Sequence, residues 1–334
     1  MFKNVFITGG SGYVGSLLVP RLLDEGYNVT VYDTCFFGND FLPKNNPNFE
    51  LIIGDIRNTD LLTESVKNHD AVINMACISN DASFELDEDL STSVNLHAFH
   101  PLVKACKKAG VKRFIYASSS SVYGVSNSPN VTEDHPLVPV SLYNKYKGEC
   151  EPMLWEEINN DFVGVTIRPA TLCGYAPRQR LDLSVNILTN HAYNNGKIKV
   201  FGGAQKRPNL HIQDMVDVYS MLLKVEDSLI QGETFNASGK NLSIAEIADD
   251  VARIVAEFKG LNKPIEIETL PSNDLRSYHV NSEKIKRVLG FSPKRSVDDA
   301  VKELCDAFRS GKLPDSMNDT KYFNVQKMKE LGVK

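Results

Sequence analysis

Thr8-Gly9-Gly10-Ser11-Gly12-Tyr13-Val14-Gly15 follows the β-branched run Val5-Phe6-Ile7-Thr8 and opens a helical pattern running from Gly15 to Glu25. In that setting Gly9 permits a tight turn, and Gly12 lets the main chain approach a diphosphate. Gly15 lets the helix lie close against the sheet, while the helix N-terminus presents its free N–H groups to an anion. Glycines are common in loops, and the triplet alone is weak. Its position between a strand and a helix makes it a dinucleotide-binding fingerprint. Tyr13 and Val14 belong to the same predicted contact set.

Outward from this loop, short apolar runs recur at Val29–Tyr32, Glu50–Ile53, Ala71–Asn74, Arg113–Ala117 and Phe162–Ile167. They are nearly continuous, as in strands of a parallel sheet covered on both faces. Helical patterns such as Gly15–Glu25 and Leu96–Ala109 lie between them. This alternation predicts an α/β fold, a Rossmann-type doubly wound parallel sheet over residues 1–169. After Arg168 the pattern turns irregular. A helix at His211–Val225 and a strand at Thr234–Ala237 read as returning elements of the first unit, from about 208 to 240. Residues 170–334 are predicted to form mainly a smaller C-terminal substrate-binding lobe, with helices at Ile244–Phe258 and Val297–Phe308. The polar tail 311–334, with a short helix at Gln326–Leu331, carries no motif that assigns it a role.

The 334 residues are 42% hydrophobic and 24% charged, which is ordinary for a globular chain and excludes a disordered or fibrous class. A net charge of −5 offers no basic field for nucleic acid or an anionic membrane, so neither is expected as a partner. The six cysteines are scattered with no CxxC pair, and no apolar run is long enough to span a bilayer. A reduced, cytoplasmic protein is expected. No HxxxH or HxH occurs among the seven histidines, and no metal site is expected.

Asp33 ends the second predicted strand. A carboxylate there accepts hydrogen bonds from ribose hydroxyls and repels a 2′-phosphate, and Thr34-Cys35-Phe36-Phe37 supply no cation to offset it. NAD is therefore the expected cofactor rather than NADP. Asp55 and Ile56, after the third strand, fit beside an adenine ring. Tyr143 and Lys147 are four apart on one helical face. A tyrosine with a pKa near ~10 is a poor base at neutral pH. A neighbouring ammonium and a positive nicotinamide ring both favour the phenolate. YxxxK alone is uninformative, because helix faces readily acquire both residues. Context comes from Tyr116-Ala117-Ser118-Ser119-Ser120-Ser121-Val122-Tyr123-Gly124 at the end of a predicted strand, where open α/β sheets bind ligands.

These motifs together resemble the extended short-chain dehydrogenase/reductases of the nucleotide-sugar, NAD-dependent epimerase/dehydratase family. The matching landmarks are TGGSGYVG at 8–15, GDI at 54–56, ASSSSVYG at 117–124 and YNKYK at 143–147. RPATLCG at 168–174, HIQDMVDVY at 211–219 and VNSEKIKRVLGFSP at 280–293 follow, so the resemblance covers about residues 1–310. It implies that Tyr143 is the catalytic base, that Lys147 binds the nicotinamide ribose and tunes Tyr143, and that Ser119 is the catalytic hydroxyl. Ala76, Asn95 and Ser118 join the implied cofactor contacts. Ser120, Thr171, Arg178, Asn186, Arg207 and Arg276 are candidate substrate contacts, with Arg180 a further cation. Arg207 and Arg276 match positions that face the sugar's diphosphate, where arginine gives bidentate contacts.

The departures from the family pattern are informative. Ser120 and Ser121 stand where 4,6-dehydratases carry an Asp-Glu pair, so dehydration is set aside as an expectation. Asn74 stands where many relatives carry His, and Thr171 and Cys173 replace a common Asn and Tyr. The resemblance implies an epimerase acting on a nucleotide-diphosphate sugar through a transient 4-keto intermediate. A net dehydrogenase or ketoreductase on a hexose or heptose carrier of surface-polysaccharide biosynthesis is the second reading. A non-catalytic NAD-binding regulator is the third, opposed by the presence of Tyr143, Lys147 and Ser119. It also implies a homodimer, packed through the helices at Leu96–Ala109 and Tyr143–Asn159.

Overall fold

A computed structural model describes residues 2–272 and 277–332. The large unit starts with β1 (Asn4–Thr8), α1 (Gly15–Asp24), β2 (Asn28–Asp33), β3 (Phe49–Ile53), α2 (Thr59–Ser65) and β4 (Ala71–Asn74). It continues with α3 (Asp81–Phe84), α4 (Glu88–Thr92), α5 (Phe99–Lys108), β5 (Arg113–Ala117), α6 (Leu142–Trp155) and β6 (Val163–Pro169). Beyond it come β7 (Thr171–Cys173), α7 (Ser184–Asn195), β8 (Lys197–Phe201), β9 (Lys206–His211), α8 (Ile212–Leu222), β10 (Glu233–Ala237) and β11 (Asn241–Ser243). The chain ends with α9 (Ile244–Phe258), β12 (Glu266–Leu270), α10 (Glu283–Leu289), α11 (Val297–Arg309) and α12 (Asn324–Leu331).

Seven strands form one parallel sheet in the order β10-β6-β5-β4-β1-β2-β3. The order reverses between β1 and β4, and the crevice at the carboxyl ends of such a pair is where open α/β sheets bind ligands. The strands read as continuous apolar runs because both faces are covered. Val5, Ile7, Val29, Val31, Ile73 and Ile115 face α1 and α8, while Phe6, Tyr32, Val72 and Phe114 face α2, α5 and α6. α8 packs on α1, and β10 pairs with β6.

The smaller lobe is built from two short sheets, β11-β9-β7 and β12-β8, around a core shared by α7, α9 and α11. Ser243 and Ser296 start α9 and α11 with reciprocal capping boxes to Glu246 and Asp299. The domain boundary differs from the expected one in two places. Ile285 and Phe291, around α10, are buried in the core of the large unit. Met328 of α12 is buried beside Ile78 and Leu90, also of the large unit. Apolar side chains spaced along a polar segment were enough to return it across the molecule.

The helix expected over Leu96–Ala109 is broken into a wide π turn at Ser93–His97 followed by α5. Within that turn Asn95 clasps the loop after β4 by both ends of its amide. Its Oδ1 accepts from Ile78 N at 2.8 Å, and its Nδ2 donates to Ile78 O at 2.9 Å. Wide turns of this kind frequently mark functional sites.

Candidate active site

A cleft of roughly 1850 Å³, counting its open mouth, runs along the carboxyl ends of β1, β2, β4 and β5 and under the smaller lobe. One end is the glycine loop. Gly9 has φ +75°, and a Cβ there would lie 2.6 Å from Ala76 N; a Cβ on Gly15 would lie 2.1 Å from Gly10 O. The loop therefore tolerates no side chain at either position and leaves its main chain bare. Gly12, Val14, Gly15, Ala76, Asp55 and Ile56 all line the cleft.

Asp33 lies at the lip, accepting from Ser11 N at 2.9 Å and Cys35 N at 2.7 Å. Burial raises its carboxyl above the ordinary range, opposed by those two amides and by the nearby charge of Arg178. Each oxygen keeps a lone pair beyond its amide contact, which suits a ribose diol. Asp55 is paired with Arg57 at 2.6 Å, and that contact holds its carboxyl below the ordinary range against burial.

The other half of the cleft holds the reactive side chains. Ser141 caps α6 by accepting from Asn144 N at 3.2 Å. Tyr143, Lys147 and Glu151 then fall one turn apart on one face. Lys147 is 5% exposed, and its Nζ donates to Ala117 O at 2.7 Å, which directs it to the end of β5. Ser119 Oγ lies 2.7 Å from Ser121 Oγ, which in turn donates to Asn144 Oδ1. This chain links the expected catalytic hydroxyl back to α6. Tyr143, Ser119, Ser120 and Lys147 all line the cleft. Burial pushes the Tyr143 phenol well above the ordinary tyrosine range. Cys77, Asp81 and Tyr278 push the same way, and Arg180 is the cation that opposes them.

Several predicted contacts take other positions. Asn95 braces the loop after β4 and is absent from the cleft wall, because both amide ends are used on Ile78. Asn186 is fully buried, accepting from Gly174 N and donating to the Tyr13 hydroxyl and Arg180 O, so it is an internal strut. Tyr13 lines the cleft, but its hydroxyl points into the smaller lobe and donates to Gly174 O at 2.6 Å. Ser118 also lines it while donating to Glu151 Oε1 at 2.7 Å.

Thr171 lies in the wall with its Oγ1 3.5 Å from the Tyr278 hydroxyl. Arg207 stacks over the Tyr278 ring at 5.3 Å. Arg178 sits instead at the glycine-loop end, its main-chain N donating to Ser16 Oγ at 3.3 Å. Arg276 lies outside the described residues. Asn74, at the usual His position, accepts from Thr8 Oγ1 at 2.6 Å across the β1–β4 pair.

Sequence reasoning missed Ser79, Asp81, Tyr278, Asn324 and Met328, which all line the cleft. They come from loops and from the tail, where no periodicity or motif marks them. Among the described residues there is no group of three His, Cys, Asp or Glu able to hold a metal, and no helix long and apolar enough to cross a membrane.

The glycine cradle, the Asp33 lip and the Tyr143–Lys147–Ser119 group define a nucleotide-dependent oxidoreductase-type site on a Rossmann sheet. Residues 5–238 match the NAD dependent epimerase/dehydratase family, and the chain belongs to that family, with NAD as its cofactor. A UDP-glucose 4-epimerase of Lactobacillus helveticus is 28% identical over 323 residues, covering 89% of this chain and 94% of the relative. A dTDP-D-glucose 4,6-dehydratase of Mus musculus is also 28% identical, covering 92% of this chain and 89% of the relative. Among solved structures, a UDP-glucuronic acid 4-epimerase of Bacillus cereus in complex with UDP-glucuronic acid and NAD is 26% identical. It has a TM-score of 0.80 and covers 92% of this chain and 99% of that one. The expectation that dehydration can be set aside is not supported, since a named dehydratase matches as well as a named epimerase.

Proposed function

We propose that this protein is a nucleotide-sugar epimerase acting through a transient 4-keto sugar. The reading is supported chiefly by the presence of Tyr143, Ser119 and Lys147 in the wall of one cleft, with hydroxyls rather than carboxylates at positions 120 and 121. NAD, when bound, takes a hydride from the sugar carbon and can return it. Tyr143 accepts the proton of the hydroxyl on that carbon, and Ser119 hydrogen-bonds the same oxygen and fixes its direction. Lys147 holds the nicotinamide ribose. Thr171 and Ser120 face the sugar, and Arg207 with Arg276 anchors its diphosphate. The substrate is a UDP- or dTDP-linked hexose or heptose of surface-polysaccharide synthesis, and the protein works as a cytoplasmic homodimer through the outer faces of α5 and α6, where Trp155 is exposed. In light scattering the purified protein is expected at twice the chain mass, and a single-chain mass would refute the dimer.

The reaction is tested by incubating the protein and NAD with UDP-glucose, UDP-glucuronic acid and dTDP-glucose and following products by NMR and mass spectrometry. Interconversion of C4 epimers, with no net NADH and no mass change, is the expected result. Loss of one water with a 6-deoxy-4-keto product would establish dehydration instead, the reading favoured by the dehydratase relatives. Stoichiometric NADH with a released ketone would establish a net dehydrogenase.

A further inference from the structure

The segment after α11 is anchored on both sides of the cleft. On the lobe side, Leu313 and Tyr322 are buried against Leu181, Leu304 and Ala307. Leu181 N donates to Tyr322 O at 2.9 Å, and Asn190 Nδ2 donates to Ser316 O at 2.9 Å. On the Rossmann side, Met328 is buried with Ile78 and Leu90, and Phe37 packs against the same cluster. Between these anchors Asn324 and Met328 form part of the cleft wall.

Asn324 is 3% exposed and uses every polar group it has. Its N donates to Asp182 Oδ2 at 3.1 Å, its Nδ2 donates to Ser79 Oγ at 3.0 Å, and its Oδ1 accepts from Arg178 Nη2 at 2.6 Å. Arg178 is 4% exposed, lies in the cleft wall, and has its guanidinium 4.0 Å above the Phe37 ring. Its Nε and Nη1 are buried without a partner. Burial also pulls this guanidinium down to about 9, with Arg180 adding to the effect and Asp182 and Asp33 only partly opposing it. A buried, partly unsatisfied arginine is costly unless an anion completes it. The main chain of Arg178 meets Ser16 at the start of α1, and its guanidinium lies over Phe37 and near Asp33, which accepts from Ser11 N of the glycine loop. The helix N-terminus beside that loop is where a dinucleotide places its diphosphate.

We propose that Arg178, held in place by Asn324, binds the diphosphate of NAD, and that residues 313–331 are a wall of the cofactor site that slows release of the dinucleotide. This moves Arg178 from the substrate, among whose candidate contacts the sequence placed it, to the cofactor's diphosphate. It rests on the NAD-dependent reading but not on epimerisation.

The test measures NAD dissociation constants and release rates on the full chain by calorimetry and stopped flow, with no sugar present, and UDP binding alongside. Arg178→Gln is expected to weaken NAD about ten- to a hundredfold, the value of a charged hydrogen bond or two. Asn324→Ala is expected to weaken it about tenfold, mainly through faster release. The double variant should be no weaker than Arg178→Gln, because both act through one contact. UDP affinity should be unchanged in Asn324→Ala, while the thermal midpoint falls through loss of its two buried side-chain hydrogen bonds. Loss of UDP affinity with NAD affinity intact would return Arg178 to the substrate and overturn the proposal, as would NAD affinity and release unaffected by Asn324→Ala. Because no turnover is measured, a failure of the epimerase reading leaves these outcomes unchanged.

Discussion

Tyr143→Phe is expected to lower turnover by about a hundred- to ten-thousandfold, the usual contribution of a positioned acid–base group. NAD affinity and thermal stability should stay near those of the parent, since no hydrogen bond from the Tyr143 hydroxyl contributes to the fold in the way the Lys147–Ala117 contact does. The phenol lies in a buried wall that raises its pKa well above the ordinary range, with Arg180 the neighbouring cation acting in the opposite direction. Proton abstraction needs the phenolate. The rate should therefore rise with pH toward the phenol's effective pKa and fall as pH drops below it. Arg180→Gln removes a favourable charge and should displace that rising limb to higher pH, a change a purely structural arginine would not produce. Arg180 is itself tied to Asp182 at 2.9 Å, so the thermal midpoint must be recorded with the pH profile. Activity of Tyr143→Phe within about threefold of the parent would remove Tyr143 from the chemistry.

The second large effect concerns the support beneath the catalytic helix. Glu151 lies one turn beyond Lys147 on the same face of α6, fully buried, and meets Arg168 of β6 through two contacts, Nε–Oε1 at 2.9 Å and Nη2–Oε2 at 2.6 Å. Arg168 also donates to the Tyr123 hydroxyl and to Glu133 O, and Ser118 donates to Glu151. Partnership with Glu151 keeps the Arg168 guanidinium firmly charged despite burial. Removing one member of such a pair leaves the other buried and uncompensated, at a cost of about 3–5 kcal/mol. Glu151→Ala is thus expected to lower the thermal midpoint by roughly 5–10 °C. Glu151→Leu with Arg168→Met should lose less than Glu151→Ala, because no stranded charge remains. An unchanged midpoint in Glu151→Ala would show that Arg168 finds compensation elsewhere.

The pair also shows which part of the candidate site was not legible in the chain. Tyr143 and Lys147 announce themselves by spacing, and Ser119 by its place at a strand end. Glu151 does not, since a glutamate on a helix normally reads as a solvated residue. Only the packing of α6 on β6 turns it inward. Asn95 and Asn186 show the reverse error. Their residue types suit ligand contacts, yet tertiary neighbours engage both ends of each side-chain amide.

What the chain determines by itself is local. The glycine loop, the apolar runs of β1 to β6, Asp33 at a strand end and the Tyr143–Lys147 spacing depend on backbone freedom and on periods of two and 3.6 residues. They fix the Rossmann sheet and the cofactor end of the cleft. Tertiary structure alone decides which distant cations face that cleft. Arg178 comes to the glycine loop, and Asn324 comes from a tail with no motif, because burial of Leu313, Tyr322 and Met328 on opposite sides of the cleft draws that polar segment across it. Burial between elements far apart in sequence leaves no periodic trace, so the third wall of the site is visible only in the fold.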